Sequence, residues 1–184
     1  MKLAKNLDRL GTETAFSVLA EAKKLEAQGK EMIHLGLGQP DFMTPKHIMD
    51  AAKKAIDDGH HGYVLANGIV ECRQAVSRKI KSLYKKEVSP DQIMIMPGGK
   101  PTMYFAIQMI GEPGAEIVHP TPGFPIYESM INYTGAKAVP YDLTEEKDLK
   151  FDPEKILSLI TDKTRLVIII NPNNPTGSFV EKPA

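Results

Sequence analysis

The chain has 184 residues, 42% of them hydrophobic, and 23 Lys and Arg balance 23 Asp and Glu for a formal net charge of zero. That length can bury a core, and the even balance excludes a general polyanion or nucleic-acid binder, which carries a basic excess. A single cysteine, Cys72, excludes an internal disulfide framework and fits a reducing compartment. The histidines are scattered, without paired Cys/His spacing, and read as surface or loop residues, so no metal is expected. The N-terminus M-K-L-A-K-N-L-D-R-L has no apolar signal region, and no stretch approaches the roughly 20 apolar residues of a membrane helix. The expected location is the cytoplasm.

In chain order, the pattern predicts a first helix over residues 14–28, stopped by Gly29, and a short strand over 32–37. Thr44-Pro45 has the chemistry of a helix N-cap and first position, and that helix should end at Gly59. A loop over 60–68 leads into a longer helix over 69–85, with Ile69, Cys72, Val76, Ile80 and Leu83 at helical spacing. The rhythm then becomes β/α: strand 92–96, helix 102–110, strand 116–119, helix 125–133, strand 137–141, helix 153–160, strand 165–170. Gly111 and Gly135 end two of these helices, and Asp152-Pro153 caps the last. Such alternation predicts an α/β fold, a mostly parallel sheet flanked by helices in three layers. The final strand is apolar from Leu166 to Ile170 and reads as buried on both faces, so further strands are expected after Ala184.

Three segments fall at strand ends, where open α/β sheets place their ligands. Pro97-Gly98-Gly99-Lys100-Pro101-Thr102 could hold an anion on backbone N–H groups at a helix start. Alone, two glycines are more often a plain strand-to-helix turn; the spacing is not that of a Walker A loop. In Pro120–Tyr127, three prolines and a glycine stiffen the support of Phe124 and Tyr127, which read either as core aromatics or as one wall of a slot for a planar ring. The third segment, N-P-N-N-P-T-G over 171–177, follows the last strand, and Pro175 biases Asn174 toward an extended conformation that can aim its amide at a ligand. Together the three point to a planar, phosphorylated ligand.

Seven motifs in order carry a resemblance: L-G-L-G-Q-P-D-F (35–42) with T-P (44–45), Gly62-Tyr63, G-I-V-E-C-R (68–73), P-G-G-K (97–100), E-P-G-A-E-I-V (112–118), P-G-F-P-I-Y (122–127) and N-P-N-N-P-T-G (171–177). With these the chain resembles the N-terminal portion of class I/II aminotransferases of the fold-type I pyridoxal phosphate superfamily. The resemblance implies an N-terminal arm and part of a small domain over 1–45, then the first part of the large cofactor-binding domain over 46–184. It implies pyridoxal 5'-phosphate as cofactor, amino acid and 2-oxo acid substrates, and a homodimer. Gly98, Gly99 and Lys100 would cup the cofactor phosphate, and Phe124 would stack on its ring and face the substrate. Asn174 would bond the 3' oxygen and help hold the substrate carboxylate. Gly38 would close over the substrate from the small domain, and Tyr63 would reach the partner subunit's cofactor phosphate. Arg73 would brace structure.

The family's Schiff-base lysine, the aspartate paired with the pyridine nitrogen and the carboxylate-binding arginine would all come after Ala184. No catalytic residue is therefore assigned within the 184 positions, and the chain alone is expected to be inactive. The same motifs also serve C–S lyases and other α,β-eliminating enzymes, and a non-catalytic binding module that kept the fold is the reading outside enzymes.

Overall fold

A computed structural model of the chain describes residues 2–11 and 14–181. They form two compact units: one made of the residues up to Glu21 together with those from Gly99 onward, the other spanning Ala22–Gly98. The chain order is a 3-10 turn over Lys5–Arg9, then α1 (Thr14–Glu26), α2 (Lys46–Asp57), α3 (Val70–Tyr84) and α4 (Gly99–Ile110). The β/α series follows as β1 (Glu116–Thr121), α5 (Ile126–Thr134), β2 (Lys137–Asp142), α6 (Pro153–Ser158) and β3 (Thr164–Val167).

The first unit is built on a parallel sheet of order β2-β1-β3. Ile117 lies beside Ala138 and Leu166, and Val118 beside Val139 and Val167, so successive rows of side chains leave opposite faces. On one face Ile117 joins Ile107 of α4 and Met130 and Ile131 of α5. On the other Val118 joins Tyr141, Leu143 and Ile156 of α6. Two cores with the sheet between them make the three-layer α/β/α arrangement expected from the alternating pattern. β1, central, is buried from Glu116 to Pro120.

Local chemistry sets the element ends. Asp152 caps α6 by accepting from the N–H groups of Glu154 (3.0 Å) and Lys155 (3.4 Å). Gly135 closes α5 at φ +85°, a conformation open to glycine at little cost. Arg9 reaches the same end of α5: its Nε and Nη2 donate to the carbonyls of Asn132 and Tyr133, both at 2.8 Å. A cation there meets both the unpaired carbonyls and the negative end of the helix dipole.

In the second unit, Arg73 is the buried residue of α3. It donates to the carbonyls of Gly68 (3.2 Å) and Pro90 (2.9 Å) and to Asp91 Oδ1 (3.2 Å). The expected bracing role is what its geometry shows. Leu83, read as part of the apolar stripe, is exposed.

Four expectations change. Residues 32–37 and 92–96 form no strand: the described residues offer them no ladder partner, and Ile33 and Leu35 are exposed. Part of the second segment is instead preceded by a 3-10 turn, Pro90–Gln92, closed by a Ser89/Gln92 capping box. α2 begins after Pro45, and Thr44 does not cap it. β3 is an edge strand that ends at Val167, and Ile169 is exposed, so the apolar run is covered only in part. His119 is no surface histidine: it is buried on β1, and desolvation pushes its imidazole below the ordinary range.

Candidate functional site

The start of α4 carries the glycine-lysine segment. Gly98 sits at φ +97° with open space where a Cβ would be, so it is the backbone conformation that asks for glycine. Its N–H donates to the carbonyl of Met96 at 2.8 Å, and so turns away from an external anion in this conformation. Gly99 and Lys100 open the helix, whose first turn holds no acidic residue. Amides at a helix start lack intrahelical acceptors and, with the dipole, favour an anion.

Lys100 Nζ lies over two rings, 5.0 Å from the centroid of Phe16 on α1 and 5.5 Å from that of Phe124. Phe124 is half-buried in the loop between β1 and α5 and meets Tyr127 edge to face, with ring centroids 6.3 Å apart. Tyr127 packs on the core below, and burial pushes its phenol pKa up. Phe124 is thus supported by an aromatic neighbour and belongs to neither hydrophobic core.

β1 and β3 are parallel neighbours, so the loops after them leave the same edge of the sheet. In the loop after β3, the Asn171 side chain donates to the carbonyl of Val180 and accepts from its N–H, both at 3.0 Å. Asn173 is buried, and its Oδ1 accepts from the Thr176 N–H (3.3 Å) and hydroxyl (2.9 Å). Ser178 anchors the loop by donating to the carbonyl of Leu149 at 2.6 Å. Asn174, by contrast, is exposed and its side chain bonds to none of the described residues. Below the loop, the buried Tyr141 hydroxyl donates to the Ile168 carbonyl at 2.9 Å, and its pKa is pushed up to about 12 by burial.

The structure therefore brings Lys100 and Phe124 together beside Gly99, and sets Asn174 on a loop at the same sheet edge. Gly38 and Tyr63 lie in the second unit; both are exposed, Tyr63 fully. Sequence reasoning missed Phe16, which helical spacing alone makes an ordinary member of α1. It also missed the bonding of Asn171 and Asn173 within the loop, for which the flanking prolines give no directional signal. Among the described residues no His, Cys, Asp or Glu cluster could hold a metal, and no helix is long and apolar enough to cross a membrane.

Comparison with known proteins decides the family. The profile of aminotransferase class I and II matches residues 30–184. The chain belongs to the class I and II aminotransferases. It is 37% identical over 177 residues to an aspartate aminotransferase of Bacillus subtilis (strain 168), covering 96% of this chain and 45% of that protein. It is 36% identical over 180 residues to a (5-formylfuran-3-yl)methyl phosphate transaminase of Methanocaldococcus jannaschii, covering 98% and 46%. Among solved structures, Thermus thermophilus aspartate aminotransferase with maleate superposes with a TM-score of 0.92 at 30% identity, over 99% of this chain and 48% of that one. An alanine aminotransferase from Pyrococcus furiosus gives 0.90 at 32%, over 98% and 47%. The chain spans about half the length of the aminotransferases it matches.

Proposed function

We propose that the protein is a pyridoxal phosphate-dependent aminotransferase, exchanging an amino group between an amino acid and a 2-oxo acid, and that these 184 residues supply much of its cofactor-holding face. The observation that carries this is one meeting point: the start of α4, the Lys100 ammonium and the supported ring of Phe124. Amides plus an ammonium suit a phosphate dianion, and a supported ring suits a planar heteroaromatic, so the residues fit such a cofactor.

Pyridoxal phosphate, when bound, supplies the carbonyl carbon that takes up the amino group and a ring that draws electrons from the substrate's α-carbon. The work of this chain is positioning. The Gly99 and Lys100 backbone and the Lys100 ammonium hold the phosphate, joined by Gly98 if its N–H leaves Met96. Phe124 fixes the plane of the ring and faces the substrate. Asn174 donates to the 3' oxygen and helps hold the substrate carboxylate, and its freedom from the loop's internal bonding leaves its amide available. Gly38 contributes close backbone approach over the substrate, and Tyr63 reaches the cofactor phosphate of the partner in a homodimer. In this reading residues 1–45 are the arm and part of the small domain, and 46–184 the first part of the large domain. The lysine that bonds the cofactor covalently is placed after Ala184 by the resemblance, so the 184 residues alone should not turn over.

Relatives with transaminase names favour amino transfer over α,β-elimination. The test is pyridoxal phosphate titration and amino-transfer assay of the full-length protein. Asn174→Ala should lower kcat/KM by about 100-fold, in the range of losing one preorganised donor, with cofactor still bound. An unchanged rate removes Asn174 from the site. Release of ammonia and a 2-oxo acid from a cysteine conjugate, without amino transfer to an acceptor, would make the protein a lyase, and absence of any cofactor binding would leave a non-catalytic module.

A further inference from the structure

Lys100 occupies an unfavourable place for a cation. It lies in the first turn of α4, at the positive end of the helix dipole, and no acidic residue shares that turn. A lysine side chain also has much rotamer freedom to lose when fixed. Its ammonium nevertheless sits over two ring faces, at 5.0 Å from the Phe16 centroid and 5.5 Å from that of Phe124. Aromatic faces carry the negative part of the ring quadrupole and attract a cation at these distances.

The two rings are not equivalent. Phe124 stands on Tyr127, next to the sheet edge. Phe16 belongs to neither hydrophobic core, and 52% of its surface is exposed. Neither core of the described residues holds Phe16, whereas the Lys100 ammonium meets its ring face.

We propose that Phe16 is a positioning residue: it holds the Lys100 ammonium at the start of α4, ready for the phosphate of pyridoxal phosphate. This rests on the proposed aminotransferase function. When the cofactor ring takes the face of Phe124, Lys100 must give up that contact, and Phe16 is the ring that continues to hold it. The influence of Phe16 is therefore directed at the phosphate and not at the heteroaromatic ring.

The experiment is calorimetric titration of the full-length apoprotein with pyridoxal phosphate and, separately, with pyridoxal, which lacks the phosphate. Phe16→Ala should weaken pyridoxal phosphate by about two- to fivefold, the size of one partly exposed cation–ring contact, and leave pyridoxal unchanged. Phe16→Leu keeps apolar bulk without the ring face and should behave as Phe16→Ala, whereas Phe16→Tyr should restore wild-type binding. In a Lys100→Met background, Phe16→Ala should add nothing. Equal weakening of both ligands, a Phe16→Leu protein that binds as wild type, or an effect that persists without Lys100 would each overturn the proposal. Wild-type protein that fails to bind pyridoxal phosphate would overturn the aminotransferase reading itself. Wild-type binding with an unaffected Phe16→Ala would sink the inference alone.

Discussion

Asn171, Asn173 and Asn174 share one loop and one side-chain chemistry, yet only the last makes no side-chain bond to the described residues. Replacing Asn173 removes the acceptor for two donors of Thr176 at a buried position. Asn173→Ala should cost about 1–3 kcal/mol in urea denaturation, the range for buried groups left unpaired. Asn174→Ala, at an exposed position, should stay within about 0.5 kcal/mol of wild type. Tyr141→Phe tests the bond to the Ile168 carbonyl and should lower stability by about 1 kcal/mol. The segment was legible as a stiff loop after the last strand, and the resemblance picked Asn174 out of it as the proposed ligand contact. Which asparagines hold the loop was not legible, because a proline-stiffened turn has no period from which side-chain direction can be read. Two titrating residues on β1 contribute to the acid response, beside the lowered carboxyls of Glu87, Glu146 and Asp152. Hydrogen bonds from Lys137 and Thr161 hold the Glu116 carboxyl below its usual range, and burial lowers His119. A lowered folded pKa gives stability that is full above the unfolded value and is lost as pH falls through the folded one. Melting temperature should therefore begin to fall below about pH 6.5 as unfolded histidine takes up protons, and fall further below about pH 4.3. Glu116→Gln should make the second decline shallower, the part due to Glu87, Glu146 and Asp152 remaining, and leave the first.

At the scale of elements, the helices were the legible part. Period, Asp152-Pro153 and the stop glycines gave helices whose observed limits lie close to those expected. Strands were less so, because a strand is defined by its partner. The runs over 32–37 and 92–96 have apolar content resembling that of β1 but no neighbouring ladder among the described residues. β1, β2 and β3 succeeded because helices in between bring them side by side. The junction of α4 with α5 shows how tight this packing is. A Cβ on Gly111 would lie 2.5 Å from Thr134 Oγ1 and 2.9 Å from the Ile107 carbonyl oxygen. The hydroxyl can rotate away, but the carbonyl is helix backbone. Gly111→Ala should thus destabilise by about 1–3 kcal/mol, read as an earlier midpoint in denaturant; a neutral result would mean that the α4 end relaxes freely.

At the scale of the whole chain, apolar surface is unevenly covered. Ile33, Leu35, Phe42 and Met43 in the second unit are exposed, as is Ile169 beyond the sheet edge in the first. Surfaces of this kind are ordinarily covered by more protein. The 184 residues expressed alone should therefore associate: size-exclusion chromatography should show a species larger than 20.3 kDa that grows with concentration. A monomer that stays dispersed would count against that. The anchoring of the segment around Arg9 has a different consequence, for the timing of folding. Arg9 bonds to residues 123 and 124 positions later, across the whole contiguous second unit. A nascent chain leaves the ribosome from its N-terminus, so the Arg9 segment waits while residues 22–98 are free to collapse locally. It can seat only when the carbonyls of Asn132 and Tyr133 have been synthesised. A segment made before α5 is then placed only after it, and until that moment α5 keeps its C-terminal carbonyls in water.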